Sequence, residues 1–190
     1  MQAYLNSEAL KSKTVSAMQA DIAAERLVKG HYWNEEMGNG CFVGCVIRGN
    51  QHSKFEDVLG IPRILARSGD SIFEGLPFEE AKKFTVDFLA AIKPGANLSG
   101  VWPKFAHFML VDSEHGVLKF AKTVRTKKSI QAIGDLYQRK INGENIDVNT
   151  WLEARLTADA AAAYAADAAA AYAADAAAAY AAAYAAAYAA

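Results

Sequence analysis

Cysteine is scarce in this chain. Cys41 and Cys45 are its only two, too few to staple a disulfide scaffold of this length, and their scarcity fits a reducing compartment. A surplus of charge of either sign is also missing. The 20 lysines and arginines stand against 21 aspartates and glutamates, leaving a net charge of −1 over 190 residues, which disfavours a globally basic nucleic-acid binder and a strongly acidic solvating chain alike. The stretch from Met1 to Glu8 has neither a basic n-region nor an apolar h-region, so no secretory signal is expected and a cytoplasmic location is the default. A membrane span is not expected either. The Ala-rich C-terminal segment is interrupted by Asp167 and Asp175, each costing about 3 kcal/mol near a bilayer centre, and the uncharged run beyond Asp175 is too short to cross.

What is present falls into two unlike parts. From Ala158 to Ala190 the 33 residues are 25 alanines, five tyrosines and three aspartates. The unit that starts at Asp159 recurs from Asp167 and from Asp175, after which Tyr180, Tyr184 and Tyr188 follow at steps of four. Alanine has the best helix propensity, so one helix is expected from about Trp151 onward, on the order of 60 Å long if unbroken, with Thr150 and Glu153 as a capping box at its start. An eight-residue step drifts by about 80° around a helix, so the tyrosines spiral rather than form the stripe a coiled coil needs. The expected division is a globular domain over residues 1–149 and an Ala/Tyr helix over 150–190.

The upstream part reads as mainly α, or α+β with one small β-hairpin. Leu10, Val15, Met18, Ile22 and Leu27 recur at helical spacing over residues 7–29, with Gly30 as the stop. The β-prone run at His31 to Trp33 and another from Cys41 to Ile47 flank a turn that ends in Gly38, Asn39 and Gly40, which predicts a hairpin near residues 31–47. Ser53 with Glu56, and Ser71 with Glu74, repeat a capping-box spacing and predict short helices separated by glycine stops. Phe78, Ala81, Phe84, Phe88, Leu89 and Ile92 mark one face of a longer helix. A buried helix is expected over Trp102 to Val111, a shorter one over Val117 to Thr123, and another through Ile130, Ile133, Leu136, Tyr137 and Ile141.

The densest group of reactive side chains is Cys41, Cys45, His52 and Glu56, with His31 before it and Asp70 and Glu74 after it. Zinc is one reading. If Cys41 to Ile47 is a strand, however, the two thiols lie on one face about 13 Å apart, too far for one tetrahedral ion with Zn–S bonds near 2.3 Å, so no metal site and no cofactor is expected. A cysteine nucleophile is another reading: Cys45 or Cys41 activated by His52, with an acid such as Glu56 to orient the base. His107 sits among Phe105, Phe108 and Met109 and reads as a core histidine, while His115 precedes Gly116 at a turn. Gly38, Asn39 and Gly40 lack the residues of a phosphate-binding loop. Lys119, Lys122, Arg125, Lys127 and Lys128 form a basic cluster without a nucleic-acid-binding signature, so nucleic acid is not the expected partner.

The blocks Gly40 to Cys45, Leu59 to Pro62, Leu65 with Ala66, Ile72 to Pro77 and Leu98 to Trp102 resemble those of a group of uncharacterised bacterial and phage proteins, some with similar Ala-rich tails. The resemblance covers roughly residues 30–125 and implies no activity. It adds one biological alternative, a small mobile-element protein that acts by binding a host partner. The expected function is therefore a non-enzymatic interaction protein whose C-terminal Ala/Tyr helix self-associates or docks, with a protein partner or a second copy as its target. The alternative is a thiol-dependent enzyme using Cys45, or Cys41, with His52.

Overall fold

Ser7 starts the first long helix by accepting the Leu10 N–H on its hydroxyl at 3.1 Å, which satisfies one of the free amides of the first turn. The structure, a computed structural model, describes residues 2–162 and 176–182. The described chain is mainly helical, with one small antiparallel hairpin. It divides into two units, Met1–Ser99 and Gly100–Ala190, so the boundary expected between residues 149 and 150 falls inside the second.

In the first unit, α1 (Glu8–Ala23) is followed by β1 (Trp33–Asn34), β2 (Asn39–Gly40), α2 (Phe42–Ile47), α3 (Lys54–Leu59), α4 (Arg63–Gly75) and α5 (Phe78–Ala91). The strands pair Trp33 with Gly40 and Asn34 with Asn39. Helix α1 ends earlier than expected because Glu25 takes a left-handed φ of 55°, and the chain beyond it runs beside Gly40 in a parallel bridge from Leu27. Phe42 centres the core, its ring edge-on to Phe55, Phe84 and Phe88 at 5.4 to 6.4 Å, geometry that suits aromatic quadrupoles.

Two expectations are corrected in this unit. The segment Phe42–Ile47 is a helix rather than a strand. Ser71 starts no new helix, because α4 runs unbroken from Arg63 to Gly75. Gly69, within it, leaves room for aromatic rings: a Cβ there would lie 3.0 Å from Phe42 and 3.4 Å from Phe88. Ser53 makes no side-chain cap to α3.

The second unit contains α6 (Val101–Val111), a 3-10 turn at Val117–Phe120, α7 (Val124–Ile141), α8 (Val148–Ala162) and a helical segment at 176–182. Helix α7 packs on both α6 and α8. Asp147, not Thr150, begins α8. Its Oδ1 accepts the Asn149 and Thr150 amides at 2.9 and 3.1 Å, and these bonds with the Thr150 hydroxyl hold its carboxyl below the usual range.

Ile130, Ile133, Tyr137 and Trp151 form one cluster with Ala158, Ala177, Ala178, Ala181 and Ala182. The Tyr137 ring lies 4.8 Å from that of Trp151, while its hydroxyl donates to the Ala177 carbonyl at 2.6 Å. On one straight helix, residues 151 and 177 would stand about 39 Å apart. Trp151 and Ala177 therefore do not belong to a single straight rod, because one tyrosine touches both. The expected spiral of Tyr164, Tyr172, Tyr184 and Tyr188 lies outside the described residues.

Candidate functional site

Three segments far apart in sequence meet beside the N-terminus of α2. Cys41 caps that helix in an extended conformation, its Sγ accepting the Gly44 N–H at 3.4 Å. Its own amide donates to the Tyr32 carbonyl at 2.8 Å, which ties α2 to the entry of the hairpin. His52 comes from the turn that leads into α3, and the edge-to-face Tyr32 ring at 4.6 Å holds its imidazole. Asp70 comes from the buried face of α4 and accepts the Val43 N–H on Oδ1 at 3.3 Å. Each of Cys41, His52 and Asp70 places one ligating atom within 4.8 Å of the other two.

Gly30, His31, Tyr32, Cys41, Asp70 and Glu74 line a cleft of about 530 Å³. Cys41 is only 1% exposed, which puts it at the floor of the cleft, with Tyr32 at the rim. Glu74 lies one helical turn beyond Asp70, and both of its carboxylate oxygens accept the Gly30 N–H at 3.2 Å.

Burial sets the resting protonation states. It pushes the Cys41 thiol well above its ordinary range; the Gly44 amide opposes that shift and the Asp70 carboxylate adds to it. Burial also lowers the His52 pKa below 6.5, against the pull of Asp70. The resting pair at neutral pH is a neutral thiol beside a neutral imidazole. His52 Nε2 is buried without a hydrogen-bond partner, and Asp70 Oδ2 stands 3.7 Å away, longer than a hydrogen bond.

The other candidates go elsewhere. Cys45 is not a member of this cluster. Its thiol donates to the carbonyls of Gly40 and Arg26 at 3.3 and 3.5 Å, and burial, with Asp21 nearby, pushes it up to about 12. Glu56 accepts the Arg63 amide on Oε2 at 3.2 Å at the start of α4. His115 stacks on Phe108 at 5.5 Å and faces Asp112 at 3.1 Å. The 13 Å strand separation expected of the two thiols does not exist, because Cys41 and Cys45 are four residues apart at a helix start.

Asp70 is the site residue the sequence left as a mere neighbour of the reactive group. Its signal was a carboxylate on the otherwise apolar face that carries Ala66, Gly69 and Phe73, since a buried acid needs partners. Asp21 is a second such residue. It is 1% exposed and binds Arg26 and Arg48, both at 2.8 Å, pinning the end of α2 beside the hairpin, where Arg48 lies over the Trp33 ring. No known protein family, curated protein or solved structure matches the chain.

Proposed function

We propose that the protein is a thiol-dependent acyl-transfer enzyme, with Cys41 as nucleophile, His52 as general base and Asp70 as the residue that positions and supports the base. The observation that carries this reading is the convergence of a thiol, an imidazole and a carboxylate within 4.8 Å where Cys41 and Asp70 line an open cleft. With both partners neutral at rest, the nucleophile is made during attack rather than held as an ion pair. His52 takes the thiol proton as sulfur adds to the substrate carbonyl carbon. The imidazolium then forms beside the Asp70 carboxylate, which favours it, and the proton passes to the departing alcohol or amine. Water, deprotonated by the same imidazole, cleaves the thioester to a carboxylic acid and restores the thiol.

The test uses p-nitrophenyl acetate as an activated acyl donor. Mass spectrometry should find one acetyl group on Cys41, none on Cys45, and an acylation rate lowered roughly 10² to 10⁴-fold by His52→Ala. Because burial lowers the His52 pKa from its ordinary value, the base is mostly neutral at pH 7. The rate should therefore be level above neutral pH and fall in acidic solution, where His52 gains a proton. Acylation of the native protein at Cys45, or equal rates with and without His52, would overturn the proposal.

A second reading, a non-enzymatic interaction protein, draws on α6, where Phe105, Phe108 and Met109 are 37 to 41% exposed, more apolar side chain than one helix ordinarily leaves in water. Self-association through the alanine face at 176–182 has less support, because that face is occupied within its own unit. Failure of acylation at Cys41 would leave this second reading in place.

A further inference from the structure

The geometry points to a second use of the same cluster: Cys41, His52 and Asp70 bind one zinc ion, and zinc thereby blocks the nucleophile reversibly. The regulatory half of this inference rests on the thiol-enzyme reading. The binding half does not.

The donors fit the ion in kind. A thiolate, an imidazole nitrogen and a carboxylate oxygen are the three side-chain ligands zinc takes, at bond lengths of about 2.0 to 2.3 Å. Tetrahedral bonds of that length hold donors roughly 3.3 to 3.8 Å apart. All three atoms already lie within 4.8 Å of one another, so closure asks no more than about 1.5 Å of any pair.

Charge favours the ion as well. The Cys41 thiol and the Asp70 carboxylate meet in a buried place, within 4.8 Å of each other, where the carboxylate disfavours a bare thiolate. A dication reverses that sign, and two anionic ligands with one neutral imidazole balance zinc to zero. The buried His52 Nε2, which has no hydrogen-bond partner, gains one bond it otherwise lacks. Two backbone amides are already aimed at the ligands, Gly44 N–H at the sulfur and Val43 N–H at Asp70 Oδ1, and such outer contacts orient ligands and damp their charge.

The number of ligands sets the character of the site. Three protein donors beside an open cleft leave the fourth position to water, the pattern of an exchangeable rather than a closed structural centre. The sulfur and imidazole ligands select zinc over magnesium or calcium, which prefer oxygen. With its sulfur pair bound to the ion, Cys41 cannot attack a carbonyl, and His52 cannot take a proton through a coordinated nitrogen.

The experiment titrates chelator-treated full-length protein with zinc chloride in competition with a chromophoric zinc chelator, with magnesium chloride as the control. One equivalent should bind. Cys41→Ser, His52→Ala and Asp70→Asn should each weaken binding at least 10-fold, and Cys45→Ser should leave it unchanged. Zinc-edge X-ray absorption on the wild type should show one sulfur neighbour, a readout that does not depend on any variant folding. Zinc should also stop acetylation of Cys41 by p-nitrophenyl acetate, and EDTA should restore it. If no zinc binds while Cys41 still acylates, the inference fails and the enzyme reading stands. If zinc binds as described but Cys41 never acylates, the enzyme reading and the regulatory half fail while the site stands. Binding that persists in Cys41→Ser, or acylation that speeds up with zinc, overturns the inference.

Discussion

Gly44→Ala is expected to destabilise the first unit by about 3 kcal/mol and to abolish acetylation of Cys41. Helix propensity alone gives the opposite sign, since alanine inside a helix is better than glycine by about 1 kcal/mol. Sterics decide against it. A Cβ on Gly44 would lie 1.8 Å from the Tyr32 carbonyl oxygen, and one on Gly40 would lie 2.0 Å from the same atom. That oxygen accepts the Cys41 amide, so the two glycines clear a place for the peptide that holds the nucleophile. Backbone cannot rotate aside as a flexible side chain can, and the segment from His31 to Trp33 must move, taking the Tyr32 ring away from His52. The control is Gly75→Ala at the end of α4, where a Cβ would meet nothing within 4 Å; it should be neutral or slightly stabilising. Urea unfolding, with hydrogen exchange followed over residues 31–47, measures both. Equal stability of Gly44→Ala and wild type would show that the hairpin entry is not fixed as described.

The same contact explains why the sequence misled at this place. Cys41, Val43, Cys45, Val46 and Ile47 are strand-forming types, and nothing local to them announces a helix. The helix arises from the cap at Cys41 and from close packing of Gly40 and Gly44 on Tyr32, a tertiary effect that overrides propensity. Where periodicity was long, it sufficed. The apolar face of Phe84, Phe88 and Leu89 located α5, because one strongly patterned face has one stable way to be buried; the run from Trp102 to Val111 located α6 as a helix, but not as a buried one, since Phe105, Phe108 and Met109 are exposed. Helix α4 was harder to see, since Gly69 looks like a stop and Ser71 like a cap until the Phe42 and Phe88 rings over Gly69 show why the helix interior needs a glycine. Of the site, Cys41 and His52 were legible as residue types. Their pairing with Asp70 was not, because three separate segments bring these side chains together and no spacing encodes that meeting.

Removing residues 176–190 is expected to destabilise the second unit by about 3 to 4 kcal/mol, against the simplest reading of a low-complexity tail as dispensable. Ala177, Ala178, Ala181 and Ala182 are each less than a tenth exposed, and they fall on one helical face. Each buried methyl group contributes roughly 0.8 kcal/mol, and the buried bond from Tyr137 to the Ala177 carbonyl adds on the order of 1 kcal/mol. Alanine loses almost no side-chain entropy on burial, which makes it an effective surface for close approach despite its small area. Truncation would also bare the Tyr137 ring and remove Tyr180 from Trp102, whose rings now meet at 5.7 Å. Two substitutions in the full chain separate packing from length. Ala178→Glu forces a charge into a fully buried position and should cost as much as the truncation or more, whereas Ala179→Glu, at a half-exposed position, should cost little. Urea unfolding followed by tryptophan fluorescence reads all three proteins, because Trp102 and Trp151 both lie in this unit. If truncation leaves the midpoint where it was, the alanine face contributes nothing to the core. If Ala178→Glu and Ala179→Glu behave alike, the segment does not seat on the face described here.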